Sequence, residues 1–475
     1  MNPARITGPG AIKLKELITL LLTVIIIYGC NSPERDKTGT PMLAEDVKNE
    51  TIRAWQAYTT YAWGHDELLP LSRGYNNWYD EPMYISLIDA YSTLKIMGFE
   101  DESERIEVFV ADTISFDKDI FVKTFEINIR VLGGLLSMYD LTGNEKILDK
   151  ARDLADRMMP AFGSPTGLPW YYVNLRTGEV RGEVICVAEA GTFIVEMGVL
   201  SYYTKDPKYY QAAKNAAEVI YSSRSPIGLI SQDYNVITGE PLDSLSHVGC
   251  FIDSYYEYLY KGWLLFGDPE LKEMWETSIE AINRYIAVET ETTLWYGAAN
   301  AHTGEQVTSH DVTLWDAFFP LVLISSGDTA RAAKSVRTWD GLWSKHGLLP
   351  MGYNFHRDEI TNPRYYLNPE LIESAYYMYH YTQEKKYLEM IKQYWEDIKN
   401  YCRTDIAFTH IEDVVTKEQS DQMSTFLFAE TLKYFYLAFS GSEVNPENYV
   451  FNTEAHPYRI ANIDSELVRE RLGFK

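Results

Sequence analysis

Five turn signals recur along this chain at a nearly fixed step, and that recurrence limits its possible folds more than any other feature. Thr142-Gly143-Asn144, Lys205-Asp206-Pro207, Gly267-Asp268-Pro269, Gly327-Asp328 and Gln383-Glu384 place markers at 144, 206, 268, 328 and 384, steps of 62, 62, 60 and 56 residues. Each of the first three joins an apolar helical segment (129–141, 193–203, 254–266) to a more amphipathic one (147–159, 209–221, 271–286), and the last precedes a helical pattern over 387–401. A step of this size marks stacked supersecondary units, here helical hairpins with short loops. In a closed ring the apolar helix of each pair lies inside and the amphipathic one faces solvent. Residues 46–460 hold roughly seven such units. The expected fold is therefore all-α: an (α/α)7 barrel, or toroid, with minor β-hairpins at one mouth from stretches such as 228–236 and 347–355.

The N-terminus lies outside that pattern. Arg5, Lys13 and Lys15 precede an apolar run over 17–27 broken only by Thr19 and Thr23. The run is short for a membrane span and fits the core of a signal peptide. It ends in Ile27-Tyr28-Gly29-Cys30, which resembles the bacterial lipobox. Residues 1–29 are therefore read as a signal peptide, Cys30 as the lipidation site, 30–45 as a polar tether and 46–475 as one barrel domain. The plain alternative is a signal peptide with an incidental cysteine. The expected address is the bacterial cell envelope, on the outer membrane, held by lipid alone. Cys186, Cys250 and Cys402 are too scattered to imply a disulfide framework or a cysteine metal site. A net charge of −25 argues against nucleic acid and anionic polymers as partners and suits a neutral one. A monomer is expected.

Six segments in order carry a family likeness. They are Tyr61-Ala62-Trp63-Gly64-His65-Asp66-Glu67-Leu68; Phe125-Glu126-Ile127-Asn128-Ile129-Arg130 with its Gly133-Gly134; Asp253-Ser254-Tyr255-Tyr256-Glu257; Pro369-Glu370-Leu371-Ile372-Glu373-Ser374; Ala429-Glu430-Thr431-Leu432; and Val450-Phe451-Asn452-Thr453-Glu454-Ala455-His456-Pro457. Together they resemble glycoside hydrolase family 47, the class I α-1,2-mannosidases, over about residues 50–457. Stretches 190–193, 224–229 and 315–320 lean toward the ER degradation-enhancing mannosidase-like branch. The resemblance implies a calcium-dependent, inverting exo-α-1,2-mannosidase acting on high-mannose glycans or mannan fragments. Such chemistry needs two carboxyl groups flanking the anomeric carbon, roughly 6.5–9.5 Å apart so that a water fits between base and sugar.

Carried over residue by residue, the resemblance implies Glu126 as general acid, Glu370 as general base and Asp253 as the third essential acid. Arg130 stands one helical turn after Glu126 and would lower its pKa, while crowding carboxylates would raise it. Asn368 reads as an N-cap, with Pro369 and Glu370 opening a helix. Glu196 and Glu430 lie in apolar helices, where an unpaired carboxylate is costly; the resemblance points both into a wet pocket. Arg130, Glu196, Glu373, Phe426, Glu430 and Glu454 are the implied substrate-binding set, and Thr453 the implied calcium ligand.

Four positions depart from the family pattern: Asn368 and Phe251 each replace an Arg, Ser424 an acidic residue and Leu314 a His. They motivate a competing expectation, a lipid-anchored protein that binds mannose glycans with little turnover. The intact acids favour the enzyme.

Overall fold

The computed structural model describes residues 40–474; the signal segment, Cys30 and most of the expected tether lie outside the described residues. The ring has seven inner and seven outer helical elements. The inner elements are α2 (Ile85–Ile96), α4 (Gly133–Thr142), α6 (Ile194–Thr204), α8 (Asp253–Phe266), α10 (Phe319–Ser325), α12 (Glu370–Thr382) and α14 (Leu432–Ser440). The outer ones are α1 (Thr40–Tyr61), α3 (Glu100–Thr113), α5 (Glu145–Met158), α7 (Lys208–Ser222), α9 (Pro269–Tyr285), α11 (Thr329–His346) and α13 (Lys385–Tyr401). Each inner helix packs on the next around the circle, and α1 packs on α14 so that the first and last units close it. This is the (α/α)7 barrel expected from the repeat.

The pairing follows from the side chains. In α5, Ile147, Leu148, Ala151, Leu154, Ala155 and Met158 are the buried residues, a stripe at three- and four-residue spacing on an otherwise charged helix. By contrast α6 is buried without interruption from Ile194 to Tyr202, as a helix enclosed by neighbours must be. The recurring markers sit at the starts of the outer helices. Asn144, Asp268 and Asp328 are N-caps whose side chains accept from the backbone amides of Lys146, Glu270 and Arg331.

Residues 40–45, expected as tether, are helical in α1, and Ala44 and Val47 bury on the ring, which corrects that boundary among the described residues. The extended stretches form strands as expected. Asp233–Asn235 pairs with Val184–Cys186, and Gly352–Asn354 lies between Val312–Thr313 and Glu359–Asn362. Strand Phe121–Lys123 runs straight into the turn Thr124–Glu126, Val184–Cys186 into Val187–Gly191, and Val312–Thr313 into the 3-10 turn Leu314–Phe318. The strands thus fix where inner helices begin, on one face of the ring.

From the far side a hairpin, Tyr449–Phe451 with Pro457–Arg459, inserts its tip between the inner helices. Asn452 donates to the carbonyl of Ile129 at 2.9 Å, Tyr458 to that of Gly133 at 3.1 Å, and Ser137 to that of Pro457 at 3.0 Å. The approach is close: a Cβ on Gly134 would stand 2.4 Å from Ile88 and 3.2 Å from His456. Glycine is required there by space rather than by dihedral angle.

Candidate active site

A cavity of about 340 Å³ opens on the face where the inner helices start, with Thr453 and Glu454 of the inserted tip among its lining residues. Glu126 closes the turn Thr124–Glu126, and a π-helical stretch, Ile127–Leu132, follows before α4 resumes. The expected Glu126–Arg130 pair is present, with Arg130 Nε donating to Glu126 Oε2 at 2.8 Å. It is an interior pair: Arg130 is buried and Nη1 also donates to Glu454 Oε2 at 2.7 Å. Burial opposes the arginine's charge, yet Glu454, Glu126 and Asp89 outweigh it, so its pKa is raised and it remains a cation. Trp78 and Phe426 place their rings 5.2 and 5.8 Å from the guanidinium.

Asp253 opens α8 and accepts from the Ser254 amide at 2.8 Å. Burial, reinforced by Asp316 and Glu257, lifts its pKa to about 7. Glu257 follows one turn later and bonds to Lys261, one turn later again. Glu370 opens α12, and burial, with Glu373 and Asp253 nearby, pushes it up to about 8. Asn368 donates to Glu370 Oε1 at 3.1 Å, while Oε2 has no partner among the described residues. Asn368 therefore binds the carboxylate rather than capping the helix, and the N-cap is Pro369, a correction to the sequence reading. Glu373 accepts from Tyr434 and rises to about 7 through burial. Glu430, on a second π-helical stretch, Leu427–Thr431, and Glu454 are both held well above the ordinary range by burial. For Glu430 the neighbouring Glu454, Glu373 and Glu370 add to the rise; for Glu454 Arg130 works against it.

Glu126, Arg130, Asp253, Glu370, Glu373, Phe426, Glu430, Thr453 and Glu454 all line this one cavity. Acids from both ends of the chain thus face one space, the arrangement that acid and base assistance of glycosidic cleavage requires. Comparison with known proteins places the arrangement. The model of Glycosyl hydrolase family 47 matches residues 50–460. The chain belongs to glycosyl hydrolase family 47. It is 34% identical to human mannosyl-oligosaccharide 1,2-alpha-mannosidase IB over 88% of this chain and 70% of that one. It is 33% identical to mouse ER degradation-enhancing alpha-mannosidase-like protein 2 over 93% of this chain and 82% of that one. Among solved structures, an alpha-1,2-mannosidase from Trichoderma reesei superposes with a TM-score of 0.81 at 28% identity, covering 88% of this chain and 99% of that one.

One residue of the expected set lies elsewhere in this family 47 hydrolase. Glu196 is fully buried and does not line the cavity. It accepts from Asn128 at 2.9 Å, Asn452 at 2.8 Å and Tyr258 at 2.6 Å, and burial sets its pKa at about 7. Asn452 in turn accepts from the Glu454 amide, and Tyr258 from the Thr453 amide. Glu196 therefore positions the inserted tip from behind. An apolar helix around a carboxylate could not distinguish pocket from paired core, and three partners distant in sequence decided it.

Further residues line the cavity beyond the expected set. Glu257 was legible in principle, because Asp253, Glu257 and Lys261 recur at i, i+4 and i+8 on one helix face. Lys123, Tyr171, Glu189 and Trp315 line the wall with no spacing signal to announce them. Of the departures, Asn368 touches Glu370, and Phe251, 52% exposed with φ 82°, stands at the mouth. Leu314 and Ser424 do not line the cavity; Ser424 bonds His410 at 2.7 Å.

Proposed function

We propose that this chain is an inverting exo-α-1,2-mannosidase that removes terminal mannose from high-mannose glycans or mannan fragments. The observation that carries the reading is the convergence of Glu126, Asp253 and Glu370 on a cavity walled by helix starts and lined at its inserted tip by Thr453 and Glu454. A pocket plugged by a hairpin tip accepts a chain end, not a chain interior, which favours exo action. Glu126 protonates the glycosidic oxygen as the bond breaks, and Glu370 takes a proton from the attacking water on the opposite side of the sugar ring. Arg130 anchors one oxygen of the Glu126 carboxyl group, and Asn368 anchors one oxygen of the Glu370 carboxylate. Aromatic rings of Phe426 and Trp315 offer faces for the sugar.

The residues also suit a calcium ion. Glu257, Glu373, Glu430 and Glu454 line the cavity with Thr453, against the cations Arg130 and Lys261. Ionising these crowded carboxyls together asks for a further cation. Among the described residues no three acidic, His or Cys side chains are set to grip a metal directly. Thr453 oxygens with waters held by the surrounding carboxylates match the coordination habit of calcium. When bound, the ion would offset carboxylate repulsion and order sugar hydroxyls.

Hydrolysis of α-1,2-mannobiose followed by NMR should show β-mannose first and stop on adding EDTA. α-Mannose as the first product would rule out inversion, and activity persisting after exhaustive chelation would rule out the metal. The cell address belongs to the same proposal: a monomer tethered through acylated Cys30 to the outer membrane, carrying the ring on residues 31–39. Cys30→Ser should move the protein from the membrane fraction to the soluble one; retention in the membrane would end that part.

A further inference from the structure

A second groove, of about 680 Å³, lies between the ends of α7 and α9 and is lined by Arg224, Ser225, Gly228, Thr277, Glu280 and Arg284 among others. Outer helices run opposite to inner ones, so their C-terminal ends reach the face where the cavity opens. The groove therefore sits on the outer rim of that face.

Its charge runs against the molecule's. The chain has 68 acidic and 43 basic residues, yet among the described residues neither Arg224 nor Arg284 forms a salt bridge. Arg224 is held in place: it donates to the Tyr221 carbonyl at 2.8 Å and stacks 3.8 Å from the Tyr221 ring centroid. That bond also answers the partial negative charge of the α7 terminus. Ser225 is 8% exposed and its hydroxyl has no partner among the described residues. A tight turn fixes it, with the Ser225 amide donating to Leu229 and the Gly228 amide to Ser225. Gly228, at φ 88°, lets that turn lie against α9, where a Cβ would come within 3.1 Å of Ala281. Two arginines, Ser225 with its spare hydroxyl and Thr277 line the groove with a single acidic side chain, Glu280. Donors so outnumber acceptors that the matching ligand is an oxyanion, which forked guanidiniums bind in preference to neutral groups.

We propose that this groove binds a phosphate-type oxyanion carried on the glycan, outside the mannose that is removed; the glycan part rests on the mannosidase reading. The test titrates the whole mature protein with inorganic phosphate, mannose 6-phosphate and mannose at fixed ionic strength. Both phosphate ligands should bind and weaken as salt rises. Arg224→Met with Arg284→Met should lower their affinity about tenfold or more, as loss of two charge-assisted contacts implies. Ser225→Ala should lower it less, and neither variant should change hydrolysis of neutral α-1,2-mannobiose. Tighter binding of mannose 6-phosphate than of inorganic phosphate supports the glycan-borne group, and equal affinity overturns that part. No anion binding by the wild type, or unchanged binding by the double variant in a normally melting protein, overturns the site. Anion binding without hydrolysis of any glycan would sink the enzyme reading and leave the groove standing.

Discussion

Glu370→Gln should lower turnover of α-1,2-mannobiose by about 10²–10⁴-fold, the usual worth of a positioned general base, which is about 3–5 kcal/mol of barrier. The change is isosteric, and Asn368 can still donate to the amide oxygen, so the site should keep its shape. Glycan affinity is then expected to stay within a few-fold, and the loss to fall on kcat. Glu126→Gln should be equally slow on mannobiose but recover on an aryl mannoside whose leaving group needs no proton. Glu370→Gln should not recover there. This contrast separates acid from base within one pair of variants. Equal turnover by wild type and Glu370→Gln, with tight glycan binding by both, would favour a receptor of little catalytic power.

Acidity should couple to calcium through stability. Burial raises Glu370 to about 8 and Glu373 and Asp253 to about 7, and holds Glu430 and Glu454 well above the ordinary range. In the unfolded chain such groups titrate near 4. A carboxyl whose folded pKa is raised adds stability that is complete below the unfolded value and is lost as pH rises through the folded one. Metal-free protein should therefore melt at progressively lower temperature between about pH 5 and pH 8, by about 5 °C or more. Calcium, binding the folded state alone, should restore about 2.7 kcal/mol at a hundredfold excess over its dissociation constant. Its benefit should be large at pH 8 and small at pH 5, where protons already neutralise the acids. A calcium-induced melting shift equal at both values would contradict a site built on these carboxylates.

The ring was legible because its grammar is local. The recurring markers coincide with outer-helix starts, where Asn144, Asp268 and Asp328 cap through their own side chains. Apolar stripes such as that of α5 then give the inward face. The catalytic set was legible only through the six ordered segments, since nothing in the spacing of Glu126 and Glu370 says that they meet. What stayed hidden depends on contacts between remote parts of the chain. Glu196 could be located only once Asn128, Tyr258 and Asn452 were seen around it. The π-helical stretches at Ile127–Leu132 and Leu427–Thr431, which carry Arg130 and Glu430, have no sequence signature. Such stretches frequently accompany functional sites.

The contact of α1 with α14 has a consequence for how the protein comes apart. An open array of helical hairpins has two exposed ends and can fray inward from either. Here the N-terminal helix lies beside the C-terminal inner one, and the circle offers no free end from which to unzip. Loss of any unit breaches the enclosure for all the others, so melting should be cooperative across the domain. Helix α14 completes the wall that α1 began, and the burial pocket for acidic groups exists only once the circle is joined.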